Sequence, residues 1–530
     1  MASLTMYPVD EALGQPERRV FNAYMVTALV ALVLFMAVGL TMRLHEARWI
    51  TLSPFLFYEL LTLHGTGMVG ITWLATTAVM WFFLRKYVTL HIWAIVTNYV
   101  LFLLGVVCIL VAIFVGGYAG LWTFLYPLPA LSMGEWPAWA AELYVVGYVL
   151  IGVGALLFYL DATAGIIDRY GSLGRGMGWQ WLFGGTVDPD HPKAVIASSG
   201  VIIANSLGII AGEVALFMTL VNLFYPDVVL NPLLAKNLIY WFGHMVANAT
   251  IYMGVIAVYE LLPRYTQKPY TVSRPFIWAW LVTALYVIVV FPHHLFMDFA
   301  QPRWLAVTGQ IASWLGGFPV FVITVYGALV NIYRSKIRWS MPALLLVLAM
   351  FGWAAGVVPA IIDGTIRVNA VMHNTLWVPG HFHFYMLLGM LPMVLALLYH
   401  QVGRLRQGVD RAPIAMPAKA EPQARAEIQA DVKNQTSGRP VATEDEAAHS
   451  TVISIMDRIA FPVFFVGALT FVLAFLYGGQ LGVARRMAEH WDTWTPSDGV
   501  GVVGASLVVL AILFFALRLC TGLLRKPAAS

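Results

Sequence analysis

The chain has 530 residues, of which 60% are hydrophobic and only 11% charged, with a mean hydropathy of +0.77. A water-soluble core does not need so much apolar surface, so the usual inference from length to several soluble domains does not apply. The net charge of +4 says little by itself, nothing in the chain points to a nucleic-acid partner, and the two cysteines, Cys108 and Cys520, lie in apolar runs that exclude a disulfide framework or a CxxC site.

Residues 1–20 are polar and lack the pattern of a cleaved signal peptide. Twelve apolar runs follow, each long enough to cross a bilayer as a helix: 21–42, 54–83, 88–115, 140–160, 194–224, 236–262, 275–297, 303–332, 340–362, 377–400, 455–478 and 500–524. They predict an all-α polytopic transmembrane bundle of about 12 helices. Between the tenth and eleventh runs the chain turns charged, rich in Ala, Pro and Glu and almost free of aromatics, which predicts a flexible solvated linker over 401–452. The expected organisation is a bundle over 1–400, that linker, and two further helices of the same domain within 453–530. With the N-terminus cytoplasmic, 24 of the 31 lysines and arginines fall on the inner side and seven on the outer, in accord with the positive-inside rule. Both termini and the linker are therefore expected in the cytoplasm, and the protein in lipid.

The thirteen histidines divide in two. His45, His91, His191, His400, His449 and His490 fall at span ends or in loops and are expected to be solvated or interfacial. The up-and-down topology brings His64, His244, His293, His294, His381 and His383 to one depth, in the outer part of the membrane, with His373 just above them. One intramembrane histidine can be a satisfied packing residue. Six at one level call for something that binds them, because unpaired imidazoles are costly in lipid and neutral imidazole is a good ligand for haem iron, copper and non-haem iron. His381 and His383 point about 200° apart on a helix, so one helix can serve a site on each flank. His293 and His294 follow Pro292, which loosens the helix end that carries them.

The segments LTLHGTG, YWFGHMVAN, VVFPHHLFMD and HNTLWVPGHFHF make the chain resemble catalytic subunit I of the haem–copper oxidase superfamily over nearly its whole length. The B-type branch is the most similar, on HNT-WVPGHFH, Asp298 four residues after the second paired histidine, and Pro263 nineteen after His244. The resemblance implies two haems, one low-spin b-type held by His64 and His383, the other high-spin b- or a-type on His381. It implies a second metal, copper B or non-haem iron, on His244, His293 and His294, and haem propionates met by Arg485, Arg486 and His373. An acid often lies four residues before that last histidine; here it is Asn369. Glu213 also has a B-type counterpart, and Glu59, Glu142 and Asp161 near span ends read as interfacial.

Two departures bear on the reaction. B-type oxidases cross-link a tyrosine, four residues after the first copper histidine, to that histidine, whereas this chain has Asn248. The C-type position holds Val287, with Tyr286 one residue off and read as packing. On the usual proton route Tyr259 survives, while Val255, Val320 and Ile323 replace polar groups, and Thr324 compensates only if it faces inward. The favoured expectation is a nitric oxide reductase with Asn248 and His381 at the reacting site. The alternative is a B-type cytochrome c oxidase able to pump protons, using Tyr252 or Tyr286; a twelve-span transporter is third. The chain has no dicopper motif and no CxxCH, so its electrons are expected from a cupredoxin-like subunit II or a cytochrome on the outer face of a bacterial inner membrane.

Overall fold

The computed structural model describes residues 13–122, 127–407 and 453–525. Its twelve long apolar helices are α1 (Gln15–Glu46), α2 (Pro54–Leu84), α3 (Ile92–Phe114), α4 (Ala138–Tyr170), α5 (Lys193–Phe224), α6 (Pro232–Thr266), α7 (Arg274–Leu295), α8 (Arg303–Ile332), α9 (Met341–Asp363), α10 (Trp377–Leu405), α11 (Ile455–Gln480) and α12 (Thr495–Leu524). The described residues contain no strand, so the all-helical expectation holds. Helix α10 continues to Gln407, so residues 401–407 are not linker; residues 408–452, including His449, lie outside the described residues.

Sequence neighbours pack as pairs, α3 with α4, α5 with α6 and α11 with α12, and α12 also lies along α1. On α3, the exposed residues Val100, Leu104, Val107 and Val111 recur at helical spacing. An apolar stripe turned outward is what lipid requires and what water would penalise. The most enclosed helices are α2, α6 and α10, with 72%, 72% and 78% of their apolar windows buried. These carry His64, His244, His381 and His383, so the imidazoles sit in the middle of the bundle.

Four local irregularities interrupt the regular helices, two of them at the histidines. Pro292 has no N–H to continue α7, whose regular part ends at Val289 and passes into a tight 3₁₀ turn, Phe291–Leu295, bearing His293 and His294. A π segment, Phe384–Met390, begins immediately after His383, and another, Val322–Tyr326, interrupts α8; such segments often mark functional positions. Arg486 has a left-handed backbone, φ 62°, which costs energy for a residue with a Cβ and turns the chain sharply beside the histidine layer.

Several polar residues expected at the surface are buried. His490, 1% exposed, binds Asp498 Oδ2 through Nδ1 at 2.7 Å, and Arg43 bridges Glu46 at 2.5 Å and Asp498 at 2.7 Å. This network ties α1, α12 and the loop between α11 and α12 together. His191 and His45 are likewise buried, His191 bonding Gly176 O at 2.7 Å. Asp161 is also buried: it accepts from the backbone N and Nδ1 of His91, at 3.0 and 2.7 Å, and so ties α4 to the start of α3. Asp498→Ala leaves a buried guanidinium and imidazole without their shared carboxylate. We expect it to destabilise the bundle by about 3–5 kcal/mol, read as a lower unfolding temperature in detergent.

Candidate functional site

One cavity of about 610 Å³ runs through the histidine layer. At one end stand His64 of α2 and His383 of α10. His64 Nδ1 lies 2.8 Å from Phe35 O of α1, and His383 Nδ1 lies 2.7 Å from Pro379 O. A carbonyl can only accept, so each Nδ1 carries the proton and each Nε2 keeps its lone pair. The rings are within 13° of parallel, with centroids 6.4 Å apart. That separation fits one metal between them, since two metal–nitrogen bonds of roughly 2 Å and two half-rings add to about 6 Å. Gly39 makes the arrangement possible: a Cβ there would come within 2.6 Å of the His64 ring.

At the other end His244, His293 and His294 converge, one nitrogen of each lying within 4.8 Å of the others. His244 Nδ1 is 3.1 Å from His294 Nε2, and the His293 and His294 rings are 4.1 Å apart. Ser313 Oγ holds His293 Nδ1 at 2.8 Å, leaving Nε2 free. Gly309 lets α8 approach this turn, since a Cβ there would stand 2.8 Å from His293 N. Tyr240 stacks on His294 at 5.6 Å. Three neutral imidazoles with converging lone pairs form a cation site of the kind that suits copper, iron or zinc.

His381 lines the same cavity, on the opposite side of α10 from His383. Its Nδ1 is buried and unpartnered, with Asp363 Oδ2 at 3.8 Å. The outer rim carries His373, Arg485 and Arg486. Two strands of loop are joined there by a single bridge, Thr375 to Ala484, and Arg485 N bonds Asn374 O at 3.0 Å. Burial, with Arg485 and Arg486 nearby, holds His373 down to about 4, so it is neutral at physiological pH. Burial and the neighbouring Arg486 likewise bring Arg485 down to about 10. Neither arginine makes an ion pair among the described residues, so the rim is a half-buried cationic pair suited to anions. Parallel histidines, a trihistidine cluster, an orphaned imidazole nitrogen and a cationic rim on one cavity together fit two haems and a second metal.

Asn248 does not point at open space. Its Nδ2 is 2.8 Å from His244 Nε2 and 3.0 Å from His244 O. Thr324 faces inward and pairs with Tyr259 at 2.6 Å, while Val255 is fully buried on the same helix, α6. Tyr252 and Tyr286 both line the cavity, and Tyr286 packs against Gly316 of α8. Glu213 lies against Gly152 of α4 where any Cβ would collide with its carboxylate. Asp363, Ser313 and Tyr240 escaped the sequence reading: Asp363 lies one residue beyond the expected end of its span, and Tyr240 lies one turn before His244 inside a motif already recognised.

A sequence profile described as Cytochrome C and Quinol oxidase polypeptide I matches residues 19–507. Cytochrome c oxidase subunit 1 of Thermostichus vulcanus is 23% identical over 395 residues, covering 71% of this chain and 68% of that protein. The heme-copper oxidase subunit I+III of Aeropyrum pernix is 24% identical over 412 residues, 71% of this chain and 46% of its own length. Thus the chain spans about half to two thirds of these relatives. Among solved structures, a heme-copper terminal oxidase dimer matches with TM-score 0.75 at 18% identity, covering 98% of this chain and 86% of that one, which establishes the shared fold. Ser313→Ala removes the group that orients His293; we expect second-metal affinity to fall about 10–100-fold with the visible haem bands unchanged, measured by metal analysis of the purified protein.

Proposed function

The chain belongs to the haem–copper oxidase subunit I family and is an integral membrane oxidoreductase, and on that premise we propose that it is the catalytic subunit of a nitric oxide reductase related to the B-type branch. The reaction is 2 NO + 2 e⁻ + 2 H⁺ → N₂O + H₂O. In this reading His64 and His383 hold a low-spin haem, His381 a high-spin haem, and His244, His293 and His294 copper or non-haem iron. Arg485, Arg486 and His373 meet the propionates. When bound, these groups would relay electrons from the donor and provide the place where the gas binds.

One observation carries the proposal: an amide, Asn248, occupies the position beside His244 where the oxidase pattern has a tyrosine. Splitting O–O draws an extra electron and proton from that phenol, and an amide supplies neither. Joining two NO molecules needs no such donor. Asn248 keeps the orienting half of the role. Its Nδ2 also meets His244 O, which only accepts, so Nδ2 is the donor and His244 Nε2 the acceptor as the side chains stand; offering Nδ1 to a metal would move the proton to Nε2 and require the amide to turn its oxygen there, giving up the bond to His244 O. The inner proton route fits the same reading. Tyr259 and Thr324 are hydrogen-bonded, but buried Val255 stands one helical turn from Tyr259 towards Asn248 and can relay nothing. Apolar side chains such as Ile251, Val287, Val290 and Leu387 complete the cavity wall, which suits small uncharged gases and keeps bulk water out. Electrons enter on this reading from a cupredoxin-like subunit II or a cytochrome docked near the arginine rim, on the outer face of a bacterial inner membrane, with both termini and the linker cytoplasmic.

A second reading, a cytochrome c oxidase, draws on Tyr240: its phenol stacks on His294 and is a redox-active group beside the metal cluster. The two are separated by measuring N₂O formation and O₂ uptake on one metal-quantified sample. The first reading expects N₂O with little O₂ uptake; rapid O₂ consumption without N₂O overturns it. Under the nitric oxide reading Asn248→Ala lowers NO turnover about 10–100-fold through loss of His244 orientation, while Tyr240→Phe leaves it within a factor of about 3; under the oxygen reading Tyr240→Phe abolishes turnover. Single-turnover assays with NO and with O₂ distinguish these outcomes.

A further inference from the structure

The histidines of the cavity are not equivalently supported. His64 and His383 each give their Nδ1 proton to a neutral backbone carbonyl. His381 Nδ1 is closed off from solvent and makes no hydrogen bond. The group that faces it is a carboxylate, Asp363 Oδ2, at 3.8 Å. Asp363 is the last residue of α9, is 7% exposed, and lines the cavity. Its other oxygen is engaged: Asn369 Nδ2 donates to Asp363 Oδ1 at 3.1 Å and to Asp363 O at 2.9 Å. Asn369 therefore braces the carboxylate with Oδ2 turned towards the imidazole. Closing the remaining gap to a hydrogen bond takes a shift of about 1 Å, within reach of a carboxylate rotation, and such contacts commonly tighten when a site is loaded.

We infer that Asp363 is a positioning residue for His381, accepting the Nδ1 proton in a hydrogen bond and giving that imidazole anionic character. The inference rests on the assignment of His381 as the axial ligand of the high-spin haem, and is independent of whether the substrate is NO or O₂. A carboxylate behind a ligating imidazole makes it a stronger electron donor than a carbonyl does. The two haem positions are thereby made different by their supports. The low-spin pair has neutral partners on both sides, and the single ligand of the reacting position has a charged one. With a haem on His381, the added electron density would favour the ferric state at the reacting position.

The test uses the full-length, haem-quantified protein, reduced and free of oxygen, and reads the iron–histidine stretching mode of the five-coordinate haem by resonance Raman spectroscopy. The unsubstituted protein is expected to show this mode in the high-frequency range of carboxylate-partnered imidazoles. Asp363→Asn and Asp363→Ala shift it down to the carbonyl-partnered range, and Asp363→Glu restores part of the shift. The midpoint potential of the high-spin haem moves upward in the first two variants, while that of the low-spin haem stays put. A low-frequency mode in the unsubstituted protein, or a mode that neither substitution moves, overturns the role of Asp363 and leaves His381 as ligand. Absence of any iron–histidine mode overturns both. If the variants fail to retain haem, the frequency in the unsubstituted protein alone decides.

Discussion

Every imidazole has two nitrogens, and a ligand needs one of them bare. The central layer depends on how the other is occupied. Backbone carbonyls hold Nδ1 of His64 and His383, a hydroxyl holds Nδ1 of His293, and an amide touches Nε2 of His244. Each support comes from a residue with no ligating role of its own, and all four act within the same or an adjacent helix. Fixing the proton at one nitrogen fixes the lone pair at the other, and with it the direction in which the ring can bind. The bundle is, in this sense, a frame for choosing tautomers.

That frame has to be built where water is scarce. In lipid the backbone is satisfied only within helices, so an irregularity must either be braced or line a cavity. Three breaks in this chain do the latter: the proline-ended turn of α7, the π segment of α10 and the left-handed Arg486 lie on or beside the histidine layer. Small residues admit the close approaches, with Gly39 under the His64 ring and Gly309 against the His293 backbone.

How much of this was legible in the sequence follows from how far apart the partners lie along the chain. The twelve spans, the six histidines at one depth and their grouping through Pro292 were legible, because length, periodicity and spacing are local properties. Several boundaries moved outward by up to ten residues, most in α4, which runs on through an exposed polar end, Asp168 and Arg169, past the bond between Asp161 and His91. Supports delivered from a different helix were not legible. Ser313 reaches His293 across α8, His490 finds Asp498 by folding back on α12, and Thr324 turns inward to meet Tyr259. Asp363 was missed because a carboxylate at a span boundary ordinarily belongs to the headgroup layer. Only packing shows that this one is enclosed.

The last two helices add a temporal aspect to the architecture. Helices α11 and α12 carry no histidine of the central layer, yet Phe471 and Phe475 of α11 press on the His383 ring and α12 seals against α1. They leave the ribosome after the ten helices that hold the imidazoles. The imidazoles thus come from the first ten helices, whereas the wall beside His383 and the Arg485–Arg486 rim come from the last pair and the loop that joins them.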